Sequence, residues 1–162
     1  MVMPIGDPHP RGYANPVVLR ASAALEAAGA WDAAPTESFS TNALEMSIHF
    51  TYTQDAEQGA VGAFDWQLEV SHYSVVALVP TGASEWVTMS LYAPGPVALA
   101  ADSQSRTQRE YITYGATGAG AEDHVFTVVL NKVVERVRIP ARESADGDQA
   151  NPGVLQITAV LV

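Results

Sequence analysis

The chain has 162 residues, 48% of them hydrophobic, and no cysteine. That length suits one domain, ordinarily roughly 100–200 residues, and the missing thiols exclude a disulfide scaffold, a thiolate metal site and a thiol nucleophile. Eighteen acidic residues against eight basic ones give a formal charge of −10, which argues against a protein that neutralises nucleic-acid phosphates.

Residues 1–15 hold Pro4, Gly6, Pro8, Pro10 and Gly12, show no apolar period, and read as an extended N-terminal arm without its own core. The opening residues do not place a positive stretch ahead of an apolar one, so no secretory leader is expected. No apolar run approaches the roughly 18 residues that cross a membrane. Residues 16–162 are expected to form one domain. In Pro16–Leu25, Val17, Leu19, Ala21, Ala23 and Leu25 alternate with more polar positions, which predicts a half-buried strand. The Ala-rich stretch Ala21–Ala28 before Gly29 also suits a short helix, and Trp31–Thr41 with Pro35 reads as a loop.

The two longest alternating runs follow. In Ala43–Thr53, Leu44, Met46, Ile48, Phe50 and Tyr52 alternate with Glu45, Ser47, His49, Thr51 and Thr53. In Ala63–Tyr73, Phe64, Trp66, Leu68 and Val70 stand against Asp65, Gln67, Glu69 and Ser71. A period of two at this length means strands with one face on a core and one in water. The connection Gln54–Gly62, with Asp55, Gly59 and Gly62, predicts that the two form a hairpin with a long loop. Further strands are expected at Trp86–Tyr92, Glu110–Gly115, Val125–Leu130, Val133–Ile139 and Val154–Val162. Val125–Leu130 is nearly continuously apolar and reads as buried on both sides. Eight strands separated by turn signals define an all-β antiparallel sandwich or barrel. The long linker Ala93–Thr107 suits a crossing between sheets, of Greek-key or jelly-roll kind.

The strand sequence Phe64–Ser71, Trp86–Tyr92, Val133–Glu143 and Pro152–Val162 resembles that of galactose-binding-like jelly rolls. It also resembles the small sandwich proteins that decorate tailed-phage virions. The resemblance spans residues 43–162 and implies a binding or assembly role, with no individual site residue attached.

No catalytic motif stands out, and no metal or cofactor site is expected. His49 and His72 fall on opposite parities of their strands, His9 sits in the arm, His124 opens a strand, and no H-x-H or H-E-x-x-H spacing occurs. Gly82-Ala83-Ser84-Glu85-Trp86 lacks the closing glycine of a nucleophile elbow and precedes a strand where that motif needs a helix. Asp65 and Glu69 share a strand face roughly 13 Å apart by strand rise, beyond the about 5–9.5 Å that separates glycosidase carboxylates. Asp146-Gly147-Asp148 reads as a turn rather than a calcium loop. Gly115–Gly120 joins two strands, so it is not a phosphate loop.

Aromatic residues remain as candidate interface groups. Trp31, Trp86, Tyr92 and Tyr111, with Ile5 and Tyr13 of the arm, suit contacts with protein or with sugar rings. Charged residues make up only 16% of the chain, which suggests that part of its surface is covered by partners. These features lead first to a non-enzymatic structural protein that forms a homo-oligomer or larger particle, such as a virion decoration or shell component. A carbohydrate-binding module comes second, and a hydrolase built around His49 third.

Overall fold

A computed structural model describes residues 16–39, 43–58, 62–93, 107–130 and 133–161; the expected arm, with Ile5 and Tyr13, lies outside them. The strands are β1 (Val17–Ala24), β2 (Glu37–Phe39), β3 (Glu45–Thr53), β4 (Ala63–Trp66), β5 (Glu69–Ser71), β6 (Val87–Thr88), β7 (Leu91–Ala93), β8 (Thr107–Arg109), β9 (Ile112–Gly115), β10 (Glu122–Val129), β11 (Arg136–Arg138), β12 (Ala141–Glu143) and β13 (Val154–Leu161). All pairings among them are antiparallel. The fold is all-β, as the alternation predicted.

One layer has the order β1-β13-β3-β10. The other is built from β2-β11-β5-β6 and β12-β4-β9, which are two halves of a single interrupted sheet. Glu69 faces Arg138 on one side of the break and Trp66 faces Ala141 on the other, so the register runs through unchanged. The break falls at Pro140, which has no N–H to donate. Its carbonyl still accepts from Gln67 N–H at 3.1 Å.

The even-numbered side chains of β3 and β4 meet between the layers. Phe50 packs on Phe64 and Trp66 with ring centroids 5.6 and 4.8 Å apart, and Tyr52 on Phe64 at 5.1 Å. Met46, Ile48, Leu68, Val137, Ile139, Leu155 and Ile157 complete the buried cluster. Each such side chain contributes on the order of 1.5–3 kcal/mol when fully buried. This face-to-face packing makes the molecule a β-sandwich.

Several expectations are corrected. β3 and β4 do not form a hairpin: β3 pairs with β13 and β10, β4 with β12 and β9. Their apolar faces are too rich in large rings to lie side by side on one sheet with an empty layer opposite; placed in opposite layers they bury each other. Val125–Leu130 is not buried on both sides, since β10 alternates regularly and Val125 and Val129 are 56% and 75% exposed. The loop read at Trp31–Thr41 contains β2, and Ala63–Tyr73 holds two strands with a break. In Pro16–Leu25 the strand reading holds, and the helical alternative shrinks to a 3-10 turn at Ala27–Gly29.

The sandwich has two distinct ends. At one, β3 finishes at Thr53 and Tyr52 reaches Glu143 of β12. At the other, β3 begins at Glu45, opposite Val129. There Leu130 N–H bonds Leu44 O within the first layer and Glu135 N–H bonds Ser71 O within the second, at 2.8 and 2.9 Å.

Candidate functional site

The outer face of the second layer gathers the chemistry-bearing side chains of the sequence. Odd positions of β4 and β5 and even positions of β11 and β12 point outward there, because 64, 66, 70, 137, 141 and 143 are spent on the core. Arg142 Nε donates to Asp65 Oδ2 at 2.9 Å, and Thr113 Oγ1 donates to Asp65 Oδ1 at 2.7 Å. Arg138 Nε donates to Glu69 Oε2 at 2.5 Å. Arg136 pairs with Glu37 at 2.7 Å and with Glu85. Both carboxylates of the Asp65/Glu69 pair are therefore engaged by arginines, and neither lies near His49, which is in the other layer.

Two of the sequence-selected aromatics meet on this face. Trp31 and Tyr111 lie edge to face at 6.1 Å, with the Arg142 guanidinium 4.4 Å over Trp31 and 5.3 Å from Tyr111. Trp86 stands apart from them, under Arg138 at 4.3 Å and Arg136 at 5.2 Å. Such cation–π contacts are worth about 0.5–1 kcal/mol at exposed sites. Tyr92 belongs to β7, and its side chain lies outside the described residues, as do Ile5 and Tyr13.

A second cluster went unread in the sequence. Glu143 is fully buried and accepts from four groups: Tyr52 hydroxyl at 3.0 and 3.1 Å, Gln58 Nε2 at 3.0 Å, Ala63 N–H at 3.3 Å and Gly153 N–H at 3.0 Å. Burial pushes its carboxyl above the ordinary value despite these donors, and burial pushes the Tyr52 hydroxyl up as well. Gly147 and Gly153 close over it: a Cβ on Gly153 would stand 2.5 Å from Tyr52 ring atoms, and one on Gly147 would overlap Glu143 Oε1. The carboxylate of β12 thus ties Tyr52 of β3 to Gln58, Ala63 and Gly153. The signal in the sequence was parity: Glu143 continues the inward series Val137, Ile139, Ala141 beyond Pro140.

The three described histidines do not converge. His49 Nε2 lies 3.2 Å from Ser47 Oγ on the outer face of the first layer, and His72 Nδ1 lies 3.1 Å from Val133 O. His124 stacks on Tyr114 at 4.5 Å. Among the described residues no three His, Asp or Glu side chains are placed to share a metal ion. Ser84 donates to Trp86 O at 2.8 Å. Asp146–Asp148 is a turn, with Asp148 accepting from Ala150 N–H at 3.0 Å. The glycine-rich connection after β9 is closed on Glu122, whose Oε1 accepts from Thr117 N–H, Thr117 Oγ1 and Gly118 N–H at 2.6, 2.9 and 2.8 Å. Those donors hold the Glu122 carboxyl below its ordinary value.

The largest unspent feature is apolar. Phe39, Leu44, Val75, Val76, Leu78, Val87, Val129 and Val133 are all exposed. All belong to the segments that form the Glu45 end or lead out of it: Phe39 faces Arg136, Val87 faces Val70, and Val75–Leu78 lies in the connection leaving Ser71. Where exposed apolar side chains adjoin one another, they mark an interaction site far more often than scattered single residues do. No helix among the described residues is long and apolar enough to cross a membrane.

In comparisons with known proteins, no family model matches the chain, and no curated protein and no solved structure matches it.

Proposed function

We propose that this chain is a non-enzymatic structural protein that works by associating with further copies of itself, as a virion decoration or shell component of jelly-roll type does. The observation that carries this reading is the Glu45 end, where Phe39, Val75, Val76, Leu78, Val129 and Val133 are exposed. β1 also begins at this end, since Val17 faces Ala159 and Ala159 faces Ile48. The composition of residues 1–15, with Ile5, Tyr13 and three prolines, suits a segment that lies on a neighbouring copy. A body of charge −10 repels its copies everywhere except where its surface is uncharged, so association is directed to such patches. Light scattering on the intact chain and on a deletion of residues 1–14 tests this. An oligomer that weakens in the deletion while the circular dichroism stays unchanged supports the reading. A strict monomer at every concentration removes it.

A second reading, a carbohydrate-binding module, rests on the Trp31–Tyr111 pair with Arg142 beside it, a platform suited to stacking on a sugar ring. Binding to a glycan array, abolished by Trp31→Ala, would favour it; silence across the array with and without calcium would dismiss it.

A further inference from the structure

The sandwich's sheet edges differ in how they are defended against pairing with another chain. β1 is irregular, with register shifts between Val18 and Arg20 and between Arg20 and Ala23. The Arg20 guanidinium also donates to Ala23 O, Ala24 O and Leu155 O there, at 2.8, 2.9 and 2.6 Å. In the second layer β2 has three residues, and the opposite edge is split between β6 and β9, of two and four residues. Bulges, shortness and interruption are the devices by which natural sheets blunt an edge. β10 has none of them. Its eight residues pair with β3 without a single shift, and Glu122–Val129 contains no proline, lysine or arginine. Among the described residues no strand lies on its other side. Its two acidic side chains are already engaged, Glu122 with Thr117 and Asp123 with Thr51 Oγ1 at 2.7 Å.

We propose that the free edge of β10 pairs antiparallel with β10 of a second copy, joining two four-stranded layers into one continuous sheet across a two-fold axis. This rests on the self-association reading above and names one of its contacts. The charge pattern favours this occupant. Antiparallel pairing sets Glu122 and Asp123 of one copy against the apolar end of the other, so the like charges are kept apart. A strand of eight residues is about 26 Å long, enough for a ladder of main-chain bonds that an isologous contact repeats on both copies. In a shared sheet, residues that face each other point to the same side, so outward residues of one β10 meet outward residues of the other. The two-fold then falls on Val125 or on Phe126, and Val125 faces either its own counterpart or Thr127 of the second copy.

Sedimentation velocity on the intact chain and on the double variant Val125→Lys/Val129→Lys tests the edge; both side chains are exposed, so the fold should tolerate the change. The expected result is a self-association at least tenfold weaker in the variant, with unchanged circular dichroism. The cysteine-free background makes Val125→Cys and Thr127→Cys clean probes, because facing Cα atoms across strands are about 4.5–5.5 Å apart, within disulfide range. A disulfide-linked dimer of Val125→Cys, or a mixed one with Thr127→Cys, supports the proposal. Undiminished association of the lysine variant with no disulfide from either probe overturns it and leaves the self-association reading standing. A monomeric intact chain overturns both. Protection of β10 amides from hydrogen exchange that persists on dilution to monomer, and disappears on deleting residues 1–14, would show that the arm covers this edge and would also overturn the proposal.

Discussion

At the Thr53 end of the sandwich a buried carboxylate is met by four protein donors, and two glycines leave just enough room for the rings and oxygens beneath them. At the Glu45 end valines, a leucine and a phenylalanine are exposed among the described residues. The first end ties its buried carboxylate with bonds from within the chain. It even holds Ala28 at a φ of 61°, a left-handed conformation that costs on the order of 1 kcal/mol. The bond from Ala28 N–H to Gln149 O, 2.9 Å long, fixes that turn on the segment beside Gly147 and Gly153. The second end gains nothing internal from its exposed apolar groups. A buried hydrogen-bond network and exposed apolar side chains thus stand at opposite poles of the sandwich, and substitutions at the two poles should therefore fail in different ways.

The sharpest break is Glu143→Ala. It leaves Tyr52 hydroxyl, Gln58 Nε2 and the Ala63 and Gly153 amides without their acceptor in a buried site, at a cost of about 3–5 kcal/mol by analogy with breaking buried polar pairs. Urea unfolding should show this as a large drop in midpoint with little change in slope. A loss below about 1 kcal/mol, the size of one ordinary hydrogen bond, would mean that the network is not what holds this end.

Gly153→Ala comes next. Its new methyl would meet the Tyr52 ring, which cannot yield because its hydroxyl is tied to Glu143, so overpacking should cost about 1–3 kcal/mol. Gly115→Ala is the control, since nothing lies within 4 Å of the added carbon; it should be neutral or stabilise by up to about 1 kcal/mol. Equal melting temperatures for the two variants would contradict the assignment of tight space to the Thr53 end.

A smaller effect follows from the raised titration of Glu143. Its native carboxyl takes up a proton more readily than the same group in the unfolded chain, because burial disfavours the charge. The native state then holds more protons through that window, and stability rises as pH falls. Relative to Glu143→Gln, the intact chain should gain stability as pH drops through the native titration and level off below the ordinary glutamate value of 4.5. A difference curve that falls on acidification would reverse the sign and show that the four donors, rather than burial, dominate.

Much of this contrast was written in the alternation of the sequence, and some of it was not. The inward series of β3 and of β4 with β5 was legible residue by residue, because a period of two survives whatever the strand pairs with. Pairing itself was not legible. The connection 54–62 looks the same to a local reading whether it turns within a sheet or crosses between sheets, and only the mutual fit of Phe50, Tyr52, Phe64 and Trp66 decides. Val125–Leu130 misled because a run of apolar residues is equally the mark of two-sided burial and of a strand whose outer face carries exposed valines. Glu143 was hidden by Pro140, which reads as the end of a strand although the ladder resumes at Ala141. Trp31, Trp86 and Tyr111 were noticed as aromatics, but their arginine neighbours come from β11 and β12, far along the chain.

The mildest substitutions for the fold should be those at the Glu45 end. Val76→Ser with Leu78→Ser removes two branched side chains that are 63% and 60% exposed, so the smaller part of each is buried on folding. Surface changes away from caps, glycines and ion pairs usually stay within about 0.5 kcal/mol, and no backbone bond of the 3-10 turn at Val76–Leu78 depends on either side chain. Thermal unfolding at low concentration should therefore match that of the intact chain. The same variant should lose association, because the apolar surface that copies of an acidic body can share has been made polar. A drop in melting temperature of more than a few degrees at low concentration would place these residues in the fold's own core and erase the difference between the two ends. An unchanged melt with undiminished self-association would leave the ends distinct, but would move the contact between copies away from this loop and toward β10.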